Sequence, residues 1–320
     1  MLTFIGDYAP YFQINFNTEG LLVGNLECAF SDKKLKTLKS YTSVLPYENM
    51  DFIKEINFSA LSLANNHTYD ADNFEEFYKE LETKYPYIQF FGTTKKPYAV
   101  LGDTAVIACL ERSRSRGKNI FPEEKVLPLI EELKSKFGKI FVYPHWGKEG
   151  EYTRYPSPAQ QKAAHAWIDA GASGIFGSHS HVYQGKEIYK NKPIYYSLGN
   201  FYFPHPESKL YKNTDIGLTV DVKDAVAERF IKFNENKIEY TAGKEKDILT
   251  EISIPLKNWG YFTWAKHIGK IYLKKNTASW HIRLKKNFVK TLPLFCVWQI
   301  MPKTLLFRFA TLFSGGNRKC

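Results

Sequence analysis

The last fifth of this chain contains no acidic residue. From Pro255 to Cys320 there are 13 lysines and arginines and no Asp or Glu, although the whole 320 residues hold 44 basic and 33 acidic side chains. The rest of the chain keeps 31 basic against 33 acidic residues, so the formal charge of +11 belongs to the tail. No recognised nucleic-acid module accompanies that charge, and no nucleic-acid partner is expected. Cysteine is scarce. Cys28, Cys109, Cys296 and Cys320 form no Cys-x-x-Cys pair and no regular spacing, which excludes a disulfide framework and a zinc knuckle. The first residues show no basic n-region, long apolar h-region or small-residue cleavage site. No uninterrupted apolar run is long enough to span a bilayer. The expectation is a cytoplasmic protein, peripheral at most at the inner face of the membrane. Internal repeats and low-complexity segments are also missing.

What is present is a chain that can bury a sizeable core. It is 44% hydrophobic and 16% aromatic, which excludes a disordered polymer. Apolar runs predict strands at Leu2–Ile5, Leu21–Val23, Phe58–Leu63, Ile88–Phe91, Tyr98–Leu101, Ala105–Leu110, Ile140–Tyr143 and Gly174–Phe176. A hairpin is predicted from Lys186–Tyr189 to Pro193–Leu198, turning at Lys190-Asn191. A meander then runs through Gly217–Val222, Arg229–Asn234 and Lys237–Thr241. Helical spacing of apolar residues predicts helices over Asp72–Lys84 and Glu123–Phe137. A third, Ser157–Ala170, has Ser157 as N-cap, Pro158 in the first turn and Gly171 at the C-cap. Alternating strands and helices succeeded by hairpins predict an α/β protein, with two mixed sheets packed together and helices flanking them.

Five polar clusters sit just after strand-like runs. They are Gly6-Asp7, Gly24-Asn25-Leu26-Glu27, Ala64-Asn65-Asn66-His67, Pro144-His145-Trp146-Gly147 and Gly177-Ser178-His179-Ser180-His181. Carboxylate, amide and imidazole are donors that divalent metals accept, and open α/β sheets place sites at the carboxyl ends of strands. His179 and His181 would point to opposite faces of an extended chain; in a tight loop they can engage two neighbouring metals. An Asn carbonyl in Asn65-Asn66 can ligate, and His67 beside it can donate a proton, though Asn and His are also common turn residues. His145 beside Trp146 reads as a ligand or as part of an aromatic cluster. Glu27 and Asp7 at inner strand ends are costly charges without a cation.

The ordered series of these clusters, then Tyr196-Ser197-Leu198-Gly199-Asn200-Phe201, resembles the CapA family of bacterial capsule-synthesis proteins, associated with poly-γ-glutamate and related surface polymers. The resemblance covers roughly residues 1–205. It implies a four-layer α/β/β/α sandwich similar to the calcineurin-like metallophosphoesterases, over a domain of residues 1–250. It implies one or two divalent ions, Mn, Zn or Fe. Asp7 and His181 would hold one, Glu27 would bridge, and Asn66, His145 and His179 would hold the second. His67 would be the general acid, oriented by Asp70. Asn200 and Arg154 would contact substrate. Metallophosphoesterases generally begin Asp-x-His, whereas Asp7 is followed by Tyr8 and Ala9, so the first metal lacks an expected imidazole.

Residues 251–320 are expected to form a basic, helical extension. Aromatic and aliphatic residues alternate there with Lys and Arg, and Pro293, Pro302, Lys303 and Arg308 interrupt the apolar run 292–313. This pattern predicts an amphipathic segment suited to an anionic membrane surface, or helices packed on the body with solvated basic faces. The functional expectation is a metal-dependent hydrolase, phosphoesterase-like, acting on an anionic polymer or phosphorylated glycan beside capsule-assembly proteins. The alternatives are a non-catalytic polymer-assembly factor and a membrane-peripheral scaffold.

Overall fold

The computed structural model describes residues 1–33, 42–111, 119–147, 151–205, 211–241, 243–254, 256 and 264–265. The chain divides into two compact units, Met1–Lys257 and Asn258–Cys320. The basic extension lies almost wholly outside the described residues, and the elements of the fold belong to the first unit.

Its strands run β1 (Leu2–Tyr8), β2 (Leu21–Leu26), β3 (Ala29–Phe30), β4 (Val44–Leu45), β5 (Phe58–Ser62), β6 (Gln89–Phe91), β7 (Tyr98–Val100) and β8 (Thr104–Leu110). They continue with β9 (Lys139–His145), β10 (Gly174–Phe176), β11 (Lys186–Tyr189), β12 (Lys192–Tyr195), β13 (Asn200–Tyr202), β14 (Ile216–Val222), β15 (Val226–Phe233) and β16 (Ile238–Thr241). The α-helices are α1 (Phe74–Lys84), α2 (Val126–Leu133), α3 (Pro158–Ala170) and α4 (Glu245–Ser253).

Two mixed sheets carry the fold, in keeping with the α/β class expected. The first is ordered β16-β15-β14-β1-β2-β5-β6, with β13 also paired to β1. The second is ordered β11-β12-β10-β9-β8-β7. One edge of β1 is shared. Leu2–Phe4 pair antiparallel with β14, while Asp7 and Tyr8 pair parallel with β13, setting Asp7 opposite Asn200. Gly6 permits this approach, because a Cβ there would lie 1.7 Å from Gly199 O.

The sheets face each other across an apolar core. Phe4 of β1 stacks on Phe176 of β10 at 4.0 Å and meets Phe141 of β9 edge-on at 5.4 Å. Val23, Ala60, Val106, Tyr143 and Tyr195 fill the same layer. Burying these side chains is the main stabilising term, about 1.5–3 kcal/mol for each large one. A second core lies on the other side of the first sheet, where Phe74, Phe77 and Leu81 of α1 pack with Ile5, Leu61 and Phe90. Helix α3 begins with the expected Ser157 cap, which is a full capping box with Gln160. Its Trp167 stacks on Trp146 at 5.2 Å, just past β9.

Several elements differ from expectation. The helix expected over Glu123–Phe137 is a short 3₁₀ turn and then α2, which ends at Leu133. The hairpin strand expected to reach Leu198 ends at Tyr195. Lys190 and Asn191 do turn it, both at positive φ, the backbone that two-residue hairpin loops require. The β3–β4 pair, β13, a 3₁₀ helix over Tyr47–Glu55 and α4 carry no strong sequence signal.

Candidate metal centre

Parallel strands of both sheets deliver their carboxyl ends to one place. β1 brings Asp7, β2 leads into Glu27, β5 leads into Asn65–His67, β9 ends at His145, and β10 leads into Gly177–His181. Asp7 and Glu27 are both 0% exposed, and His145 and His181 are buried. Two groups of donors converge there: Glu27 with His145 and His179, and Asp7 with Glu27 and His181.

The His179–His181 loop explains how imidazoles two residues apart reach one centre. His179 has φ 93° and His181 φ 58°, left-handed backbone that non-glycine residues adopt at a cost of about 1–3 kcal/mol each. The His179 N–H donates to Asp7 Oδ2 at 3.0 Å. The Tyr152 N–H holds Ser180 O at 2.8 Å, and Ser180 Oγ donates to Val182 O at 2.5 Å. Gly177 makes the entry possible, since a Cβ there would lie 2.1 Å from Tyr196 O. The His181 ring stacks on Phe203 at 4.9 Å and on Tyr152 at 5.3 Å.

Around His145 Nε2 the donors crowd. Asn66 Oδ1 is 2.6 Å away, His179 Nδ1 3.0 Å and Glu27 Oε1 3.3 Å. One ring proton serves only one of these neighbours. Donors each about 2.0–2.2 Å from a shared ion lie about 3.0–3.5 Å from one another, close to the spacing here. On the far side of the ring, Ser178 Oγ is 3.0 Å from Nδ1 and can accept its proton once Nε2 is engaged.

Glu27 supplies the test of whether a cation fits. Neither of its carboxylate oxygens has a hydrogen-bond partner. Its closest acidic neighbour is Asp7, which can bond it only if one of the two carries a proton. Burial, then repulsion from Asp7, pushes the Glu27 carboxyl well above its usual range. Burial also raises Asp7, against the opposing pull of His181, the Asn25 amide and the His179 N–H. His145 is held well below the usual imidazole range by burial, then by the neighbouring histidines. The three shifts all favour the neutral form. A divalent ion reverses that preference for Asp7 and Glu27, which it holds as carboxylates, and agrees with it for His145, whose neutral ring is the lone-pair donor. Two carboxylates, an amide oxygen and three imidazoles form a donor set that a divalent metal ion accepts.

Two amides outside the expected ligand set, Asn25 and Asn65, hold the centre together. Asn25 Nδ2 donates to Asp7 Oδ1 at 2.8 Å and lies 3.2 Å from His145 Nδ1. Asn65 Nδ2 donates to Asn25 Oδ1 at 3.1 Å and Leu26 O at 2.8 Å. Asn65 Oδ1 accepts from the His67 and Thr68 N–H groups. Their signal was their place inside the Asn-Leu-Glu and Asn-Asn-His clusters.

His67 stands at the edge, its Nε2 3.9 Å from Glu27 Oε1. Its Nδ1 is 2.6 Å from Asp70 Oδ2, which also accepts the Ser43 N–H at 2.8 Å. Asp70 is thus placed to orient the ring. Asn200 is buried with Oδ1 2.9 Å from His181 Nδ1. Arg154 turns elsewhere: its guanidinium lies over the Tyr183 ring at 4.3 Å and 3.9 Å from Glu245 of α4.

Among known proteins, the profile of the family described as bacterial capsule synthesis protein PGA_cap matches residues 5–99 and 89–205. The PGA biosynthesis protein CapA of Bacillus subtilis (strain 168) is 33% identical over 177 residues, 49% of this chain and 45% of the relative. The capsule biosynthesis protein CapA of Bacillus anthracis is 34% identical over 178 residues, 49% of this chain and 43% of the relative. The matches therefore span less than half the length of these relatives. A solved structure of Haemophilus influenzae NAD nucleotidase (NadN) aligns over 73% of this chain and 54% of its own, at 15% identity and a TM-score of 0.36. The matched residues contain every one of the five clusters, and the chain belongs to the bacterial capsule synthesis protein family PGA_cap.

Proposed function

We propose that this chain is a metal-dependent phosphoesterase-like hydrolase acting in the synthesis or export of a bacterial surface polymer. The observation that carries the reading is Glu27, a fully buried carboxylate between two donor groups, with no hydrogen-bond partner for either oxygen. Asp7 and His181 would hold one ion, Glu27 would bridge, and Asn66, His145 and His179 would hold the other. Such a pair of ions supplies Lewis-acid polarisation of a phosphoryl oxygen and a more acidic water.

The chain's own residues do the rest. Burial of Asp7, Glu27, His145 and His181 keeps bulk water from screening the charge. The Asn65–Asn25–Asp7 relay and Ser178 keep the donors in place before substrate arrives. His67 faces the centre through Nε2, so as an imidazolium it can protonate a leaving oxygen, and Asp70 stabilises that cation. The substrate class that fits such a centre is an anionic polymer or a phosphorylated glycan, handled beside other capsule-assembly proteins.

A second reading, a polymer-assembly factor that binds without turnover, is favoured by one observation. Ala9 stands where the Asp-x-His pattern has its histidine, and its side chain is a methyl group buried in the core that cannot ligate. The membrane role of the basic extension rests on its sequence alone. Among the described residues no helix is long and apolar enough to cross a membrane.

Hydrolysis of an aryl phosphate with added Mn²⁺ or Zn²⁺ separates the readings. The hydrolase reading predicts metal-stimulated turnover that His179→Ala abolishes. Turnover that is absent under every metal, or unchanged in that variant, sinks it.

A further inference from the structure

The Asp7 half of the centre lacks the histidine of the Asp-x-His pattern, because Ala9 stands at that position and is buried in the core. Asn200 stands in that half. Its side chain is 0% exposed. Its Oδ1 is 2.9 Å from His181 Nδ1, and the same nitrogen is 3.8 Å from Asp7 Oδ2 and 3.9 Å from Glu27 Oε2. The amide is not free to turn. Asn200 Nδ2 donates to Thr214 O at 2.8 Å, which assigns the oxygen to the His181 side. The backbone is fixed as well, with Asn200 opposite Asp7 in the β1–β13 register.

The other half has the same pattern. There Asn66 Oδ1 lies 2.6 Å from His145 Nε2, and that nitrogen is 3.3 Å from Glu27 Oε1. Each half thus combines one Glu27 oxygen, one imidazole nitrogen and one asparagine carbonyl oxygen. From this repeat the geometry points to Asn200 as a ligand of the ion held by Asp7 and His181, in place of the histidine missing after Asp7. The assignment rests on the metal reading proposed for the centre. An amide oxygen is a hard, neutral donor, acceptable to a divalent ion. Substrate contact suits Asn200 less well, because none of its side chain reaches the surface. The stacking of His181 on Phe203 and Tyr152 holds the Nδ1 edge where Asn200 meets it.

The test is metal stoichiometry. The full chain is stripped with chelator, dialysed against graded Mn²⁺, and its metal measured, with circular dichroism as the check on folding. Wild-type protein is expected to take two ions. Asn200→Ala should keep one and bind the other at least tenfold more weakly, the lower end of what even outer-shell partners cost. Asn200→Asp, which keeps an oxygen in place, should hold both at least as tightly as wild type. Two ions at wild-type affinity in Asn200→Ala overturn the assignment while leaving the metal reading standing. Should Asn200→Ala not fold, weaker binding in a folded Asn200→Asp overturns it instead. Wild-type protein that takes fewer than two ions sinks the two-ion reading itself, and this assignment with it.

Discussion

Replacing Glu27 by glutamine should make the metal-free protein more stable and the metal-loaded protein less so. The side chain is 0% exposed and neither oxygen has a hydrogen-bond partner. Its carboxyl is raised well above the ordinary 4.5, first by burial and then by Asp7, so without metal the folded protein holds this proton more tightly than the unfolded chain. That contribution to wild-type stability is complete below about pH 4.5 and is lost as pH rises toward the folded value. The loss is at most tenfold in the folding equilibrium per pH unit. The glutamine variant has no such proton to lose. His145 does not obscure the comparison above pH 6.5. Its imidazole is shifted down from 6.5, so its contribution is present above that value and is lost only as pH falls through lower values. At pH 7.5 in chelator, the variant should gain about 2 kcal/mol, the scale of relieving one buried unpaired group. In a unit of this size that is roughly 4–8 °C. At pH 5 the gain should be small. Manganese at about 100 times its Kd should stabilise wild type by about 3 kcal/mol and the variant by much less, inverting the order. Differential scanning calorimetry with and without chelator reads both effects. A variant less stable than wild type in chelator at pH 7.5, or equal manganese shifts in both, would refute the reasoning.

His67→Ala should lower turnover of an aryl phosphate by about 10²–10⁴-fold while leaving metal content at the wild-type value; loss of metal in this variant would place His67 among the ligands instead. Tyr183→Phe removes the hydroxyl that bonds Glu245. It should cost about 1–3 kcal/mol in a thermal melt without changing metal uptake, since α4 braces the segment after His181 rather than the donors. The full chain should float with anionic liposomes more strongly than a chain ending at Ile254, in proportion to the 13 basic residues after Pro255. Equal flotation would remove the membrane role.

The site was more legible than its supports. Each donor cluster comes after an apolar run, and Asp7, Glu27, Asn66, His145, His179 and His181 converge because those runs are parallel strands ending at one edge. The positive φ of His179 and His181 carried no sequence signal beyond the preceding Gly177, because the loop is held by hydrogen bonds to Asp7 and Tyr152, both remote in sequence. Asn25 and Asn65 were in view but read as neighbours of ligands. Their roles depend on which strand ends adjoin, which periodicity does not reveal. Arg154 was read as an anion contact from its place in a loop. Its partner Glu245 is 91 positions away on α4, a helix with few apolar residues and no side-chain cap. β13 has three residues, too few for alternation to show. It exists because Gly6 and Gly199 let two segments of the backbone approach.

The central claim is that Glu27 bridges two divalent ions. A crystal structure of the manganese-loaded protein, with anomalous diffraction at the metal edge, tests it most directly. Two anomalous peaks are expected, one on each side of the Glu27 carboxylate. One would lie among Asn66, His145 and His179, and the other against Asp7 and His181. A Glu27 carboxylate with no peak beside it, in crystals grown with saturating manganese, would contradict it.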